Sequence, residues 1–315
     1  MTATKIPASP RPPTADRGPL AEPAAPTTTR RRRALGATTV NLLGALLVVA
    51  LIAALWEGYK AVGRALGDRI AGWSLPVATD DLSMPHLWTV LRSLAEPARQ
   101  GDPTSLAGYL VGETVVTLRE ACYGLVAGSV LGLALAVLFL HAAPVSKGLM
   151  PWLVASQTVP LVAIAPMIVI WGGKAGAPPW VAVTGIAAYL AFFPVTINAL
   201  RGLKSPPKVQ LEFMRSVGAS RRQVLLWLRV PAALPFVFAG LRLAATASVV
   251  GAIVGELSAG TGRGIGRVIL SSAYYYSNGP EKLYAAVLVA ALAGIVFVQL
   301  LALAERFALR HRAAR

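Results

Sequence analysis

Residues 211–231 read LEFMRSVGASRRQVLLWLRVP, a basic, amphipathic stretch set between two long apolar runs. Val209–Val217 and Arg222–Val230 both carry helical spacing, with Gly218, Ala219 and Ser220 between them. Gly218 is free to take the left-handed backbone conformation that ends a helix, and Ser220 stands where a side-chain oxygen caps the next one. The expectation is two short helices at an angle, projecting from whatever holds the flanking runs. Their charge puts them in water.

The flanking runs decide the fold class. Hydrophobic residues make up 55% of the 315, charged residues 14%, and mean hydropathy is +0.60. A soluble domain has no use for so much apolar surface, so the chain reads as an integral membrane protein. A spanning helix needs about 20 apolar residues, at about 1.5 Å rise each. Six stretches qualify: Ala37–Trp56, Ala121–His141, Pro151–Trp171, Trp180–Leu200, Pro235–Leu257 and Tyr284–Phe307. The expected fold is all-α, a bundle of six transmembrane helices.

The net charge of +16 would suit a nucleic-acid binder, but the basic residues cluster at the chain ends and in the 201–234 loop. Nineteen fall on one side of the six-span arrangement, Arg30–Arg33 and Arg215, Arg221, Arg222 and Arg229 among them, against nine on the other. By the positive-inside rule both termini face the cytoplasm. The chain then divides into a disordered basic cytoplasmic tail (1–36), a first span (37–57) and an extracytoplasmic segment (58–104). A five-helix core (105–308) and a second basic tail (309–315) follow. The run TTTRRRRALG at 27–36 has a faint look of an export signal. However, the apolar stretch behind it is too long for a signal core, and retention as an anchor is expected.

Within segment 58–104, Leu87, Val90, Leu91 and Leu94 have helical spacing, which predicts a short surface helix. Gly124, Gly128 and Gly132 repeat every four residues and put a small-residue stripe on one helix face, suited to close packing within the subunit. Arg119 and Glu120 are expected as anchors at the start of their span. Pro160 and Pro166 interrupt the third span, with Ser156, Gln157 and Thr158 just before. Such a polar cluster in lipid belongs against protein or an aqueous path. Asn198 lies near the inner end of span four. In span five, Arg242 is expected to snorkel inward or meet backbone carbonyls. Glu256 reaches interfacial water or, alternatively, lines a path or closed gate.

The spacing Glu212-x5-Gly218-x9-Leu228-x-Val230-Pro231 resembles the cytoplasmic signature loop of binding-protein-dependent ABC permeases. Phe213 and Met214 stand where that family usually has two Ala. The stretches SQTVPLVAIAPMIVIWGG (156–173), AAYLAFFPVTINALRGL (187–203), PAALPFVFAGLRLAATASVVGAIVGELSAGTGRGIGRVI (231–269) and LAERF (303–307) are similar to the nitrate/sulfonate/taurine type, over roughly residues 105–308. The resemblance implies a type I ABC importer permease-like bundle in a bacterial inner membrane, working as a homodimer. It also implies two further partners: an ABC ATPase subunit, which holds ATP and Mg, and an extracytoplasmic solute-binding protein. The loop becomes the coupling element, with Glu212 offering a charge contact and Arg215, Arg221 and Arg222 setting electrostatic fit. Ser156, Gln157, Thr158, Pro160, Asn198 and Glu256 become candidates for the translocation path.

Other readings compete. Helix–Gly turn–basic helix is also the plan of a DNA reader, but that needs a soluble trihelical core, and spans begin within a few residues on both sides. A secondary transporter or channel acting alone would place ionisable residues near mid-bilayer; the spans offer Arg242 and the near-terminal Glu256, and the loop would go unexplained. GTGRGIG (260–266) lacks the Lys and Ser/Thr of a P-loop and reads as a tight turn. No Walker-type motif occurs in the sequence. The three His are scattered and Cys122 is the sole cysteine, so no catalytic or metal-ligating set is apparent and no enzymatic activity is expected.

Overall fold

The computed structural model describes residues 29–70, 73–99, 101, 103–260 and 262–313, with side-chain surroundings over 43–68, 75–99, 101, 103–260 and 262–307. Most of the expected tail, residues 1–28, lies outside the described residues, as do residues 314–315 at the other end. The elements in chain order are α1 (Thr29–Leu66), a two-residue hairpin of β1 (Arg69–Ile70) and β2 (Trp73–Ser74), α2 (Leu87–Ser93), α3 (Leu106–His141), α4 (Ala143–Ser156) and α5 (Leu161–Lys174). Then come α6 (Pro179–Leu203), α7 (Lys208–Ser216), α8 (Arg221–Gln223), a π-helical turn (Val224–Arg229), α9 (Val230–Ala259), α10 (Ile265–Tyr274) and α11 (Pro280–Ala313).

Two compact units divide at Tyr59 and Lys60. The first contributes the apolar part of α1, where Leu43, Leu47, Leu51 and Leu55 are exposed as on a lipid-facing helix. The second, from Lys60 onward, is the bundle.

Among the described residues five helices are long and apolar enough to cross a bilayer: Leu43–Leu66, Leu106–His141, Pro179–Leu203, Arg221–Ala259 and Pro280–Phe307. The expected third span is different. It is a bent pair, α4 and α5, meeting at 100°. Pro160 explains the break, because it has no N–H to continue a helix and it disfavours helical geometry at Val159. The start of the second span also moves. Ser105 accepts a hydrogen bond from Gly108 N (3.2 Å) and caps α3 there, so Arg119 and Glu120 lie well inside the helix and Glu120 is buried.

α6 is the centre of the bundle, packed between α3 and α9. Gly128 and Gly132 of α3 face its backbone so closely that an added Cβ would lie 2.7 Å from the carbonyl oxygens of Ala188 and Phe192 respectively. On the other side, a Cβ on Gly251 of α9 would come within 2.8 Å of Ala187 Cα. Between them Val183, Ala187 and Ala191 are fully buried. Inside lipid there is little hydrophobic drive between helices, so small residues that permit backbone approach supply the packing energy.

At the α10 end, Val90, Leu106, Leu110, Ile265, Val268, Ala285 and Ala286 form a separate cluster. It covers α2 on its Val90 face, so the predicted surface helix packs onto α11 while Leu91 stays exposed. Segment 60–86 is tied down by polar contacts. Lys60, itself buried, donates to Asp81 Oδ1 (2.7 Å) and to the Met84 carbonyl, and Arg64 reaches the same Asp81 oxygen (2.6 Å). Tyr276 and Tyr284 hydroxyls donate to the carbonyls of Leu82 (2.5 Å) and Ser83 (3.0 Å).

Candidate functional site

The 201–234 region begins where α6 ends at Leu203, whose carbonyl accepts from Arg229 Nη1 at 2.7 Å. α7 follows with no buried residue; Glu212 and Arg215 are exposed, as are Val209, Phe213 and Val217 along one stripe. Among the described residues Glu212 makes no ion pair. Gly218 has φ +71°. Its N–H donates to Arg215 O (2.9 Å), and Ala219 N–H donates to Met214 O (2.9 Å). This crossed pair of bonds is the Schellman closure, which a left-handed residue makes possible.

Ser220 then starts the next helix with a full capping box. Its Oγ accepts from Gln223 N (3.3 Å), and Gln223 Oε1 accepts from Ser220 N (2.8 Å). The helix so begun does not stop. Arg221 and Arg222 lead through the π turn directly into α9, one helical stretch of 39 residues. The expected second short helix is therefore the lower part of a span, and only α7 is a free-standing arm. Pro231, which is exposed, accounts for the π turn: in a regular α-helix its ring would crowd the carbonyl of Trp227, and a wider turn avoids that clash without ending the helix.

The second group of candidates sits at the bend between α4 and α5. Ser156 is the last residue of α4 and Pro160 the residue that starts α5. Ser156 Oγ donates to Leu153 O (2.8 Å) and accepts from Gln157 Nε2 (3.3 Å), while Thr158 Oγ1 donates to Ala155 O (2.8 Å). Tyr189 of α6 donates to the Ser156 carbonyl and pins the bend to the core. Thr158 and Pro160 are exposed; Ser156 and Gln157 are half-buried. Tyr189 was not singled out from sequence, and an aromatic hydroxyl in an apolar run is the signal that marks it.

Asn198 and Glu256 do not join this group. Asn198 lies about 13 Å further along α6 from Tyr189. Its side-chain amide donates to Pro194 O (2.8 Å), and its Cβ side abuts Gly240. Glu256 is fully buried, so it does not reach interfacial water as expected. Its Oε2 accepts from Gly266 N (2.7 Å), and it packs so tightly on Gly264 that a Cβ there would overlap the carboxylate. Glu113 and Thr117 of α3 complete the arrangement: Glu113 Oε2 accepts from Gly264 N (2.5 Å) and Thr117 Oγ1 from Ile265 N (2.8 Å). Three successive N–H groups at the start of α10 are thus received by two carboxylates and a hydroxyl, which the helix dipole favours. Glu113 also pairs with Arg263 (3.2 Å). Its signal in the sequence was the four-residue spacing to Thr117 on the face that continues into Gly124 and Gly128.

Arg242 is expected to snorkel inward or to meet backbone carbonyls, and its partner among the described residues is a carboxylate. It pairs with Glu305 of α11 at 3.1 Å. In lipid an unpaired guanidinium is costly, and the neighbouring helix supplies the counter-charge.

Residues 128–310 match the family model described as the binding-protein-dependent transport system inner membrane component. The chain is 32% identical over 231 residues to a probable ABC transporter permease protein of Haemophilus influenzae, covering 73% of this chain and 83% of that protein. It is 40% identical over 149 residues to the formylaminopyrimidine transport permease protein ThiX of Halalkalibacterium halodurans, covering 47% of this chain and 58% of that one. It is 29% identical over 225 residues to the taurine transport system permease protein TauC of Escherichia coli, covering 70% and 73% respectively. A crystal structure of an amino acid ABC transporter with histidines superposes with a TM-score of 0.50 at 18% identity, over 63% of this chain and 93% of that chain, a likeness of fold.

Proposed function

The chain belongs to the binding-protein-dependent transport system inner membrane components, the permeases of ABC importers, and from that premise we propose how it works. It is a multi-pass membrane protein whose bundle carries a small polar or anionic solute inward, driven by ATP hydrolysed on a separate subunit. An extracytoplasmic binding protein delivers the solute to the α10 end, and both termini lie in the cytoplasm. Two copies pack side by side around a path bordered by the α4–α5 bend, with Ser156, Gln157, Thr158 and Pro160 at its wall. Asn198 and Glu256 lie behind that wall, where they keep α6 against α9 and α10 against α9.

α7 is the coupling arm. The single observation that carries this reading is its geometry: an exposed, unburied helix closed by Gly218 and joined rigidly, through the Ser220 box, to the helix that becomes α9. A push on α7 is transmitted to a spanning helix without an intervening flexible loop. Closure of the ATPase subunits would rock the bundle between inward-open and outward-open states, and ATP must favour one of them differentially for any coupling to exist. The solute belongs to the nitrate, sulfonate, taurine, bicarbonate or pyrimidine and thiamine-precursor class; relatives named for formylaminopyrimidine and taurine transport support that range.

The test is reconstitution. Vesicles holding this chain, its ATPase and its binding protein should accumulate solute only with ATP present. Accumulation by vesicles holding this chain alone overturns the proposal.

A further inference from the structure

A recess of about 500 Å³ opens between the last residue of α3, the α7 arm and the π turn. Arg215, Arg221, Arg229 and His141 line it, and no carboxylate does. Arg215 and Arg221 have no acidic partner among the described residues. His141 Nδ1 lies 2.9 Å from Val137 O, which leaves Nε2 for another partner. The remaining lining is apolar and includes Leu140 and Leu225. Three guanidiniums without counter-charges around one concavity form a site for an anionic group with several acceptor oxygens, and a phosphate offers four where a carboxylate offers two.

The level of the recess identifies the source of that anion. α6 has 25 residues and is about 37 Å long, enough for the hydrocarbon core of about 30 Å and little more. Leu203 therefore ends α6 at headgroup depth, and Arg229 is bonded to the Leu203 carbonyl at 2.7 Å. Next to the recess, Leu226 and Trp227 expose apolar surface on the π turn, Trp227 to 73%. Tryptophan at a membrane interface with apolar neighbours is surface made for acyl chains. We propose that this recess binds the phosphate headgroup of an anionic phospholipid, with its acyl chains running along Leu226 and Trp227. A lipid held there would brace α7 against the end of α3. The site goes beyond the transport reading and does not rest on it, since it needs only the bilayer.

Native mass spectrometry of the purified full-length chain, titrated with phosphatidylglycerol or phosphatidylcholine, tests the assignment. The expected result is one tight phosphatidylglycerol adduct per chain and weak phosphatidylcholine binding. R215Q/R221Q should weaken the phosphatidylglycerol adduct about twentyfold or more, given about fivefold per guanidinium near an anionic surface. K204Q/K208Q removes the same charge from the same loop outside the recess and should leave the adduct within about twofold. Equal binding of the two lipids overturns the proposal and leaves the recess to an acidic partner protein. Equal losses in the two double variants reduce the effect to general surface charge and also overturn it. Competition by millimolar inorganic phosphate to the same extent as by lipid shows a free-anion site instead.

Discussion

Gly218 has open space where a Cβ would stand, so its requirement is one of backbone angle alone. A β-branched residue at φ +71° is strained by about 1–2 kcal/mol and loosens both Schellman bonds. Gly218→Val is expected to lower uptake at least tenfold with membrane insertion intact, and Gly218→Asn, which tolerates that conformation, to retain most of it. Normal uptake by the valine variant would sink the coupling role. Glu212 is available to a partner, being exposed and unpaired among the described residues. Glu212→Ala should reduce co-purification of the ATPase or uncouple its hydrolysis from solute.

Asp81 behaves oppositely, as a residue already committed. The hydrogen bond from Lys60 holds its carboxyl below the ordinary value, against a smaller opposing effect of desolvation, and the charges of Lys60 and Arg64 add to the lowering. A lowered value means the tie contributes fully above the ordinary carboxylate range and is lost only as pH falls through the lowered one. Hydrogen exchange in residues 82–86, corrected for intrinsic rate, should therefore be flat from pH 8 to 5 and rise only in stronger acid. A rise between pH 7 and 5 would contradict the ion-pair account.

Helices here meet through absent side chains as much as through present ones. Gly128→Ala forces a methyl toward the Ala188 carbonyl and should cost about 1–3 kcal/mol in thermal unfolding in detergent. Gly112→Ala, on the same helix with nothing near it, should be neutral or slightly stabilising. If the two variants melt alike, the α3–α6 contact is looser than described. At the other end of the bundle, Glu256→Ala leaves Gly266 N–H buried without an acceptor, a loss of about 1–3 kcal/mol. Glu256→Gln keeps an accepting oxygen and should melt closer to the parent chain. The glycine stripe was legible from its four-residue period. The partners of Glu256 were not, because the spacing of a carboxylate along its own helix says nothing about which loop folds back over it.

Across the bundle the same division holds for the transport reading. Five of six apolar runs became single helices, since about 20 apolar residues are sufficient for a span. The run holding Pro160 became two helices bent by 100°; proline announced an interruption but not its angle, nor that Tyr189 of α6 would hold the Ser156 carbonyl at the bend. The second half of the loop, Arg222–Val230, read as a short helix of its own because its helical spacing was taken over those residues alone. In the structure the chain widens there and carries on, so the helix after the Ser220 cap is continuous with span five, while α7 stays set off from it by the Gly218 turn.

Helix periods, the Gly218 turn and the Ser220 cap were readable from the chain alone, because each depends on neighbours within a few positions. The pairing of Arg242 with Glu305, 63 residues away, and of Glu113 with Gly264, 151 residues away, was settled only when the helices packed. Burial makes each of those polar groups find a partner, but which one is reached is a matter of three-dimensional proximity that no local pattern encodes.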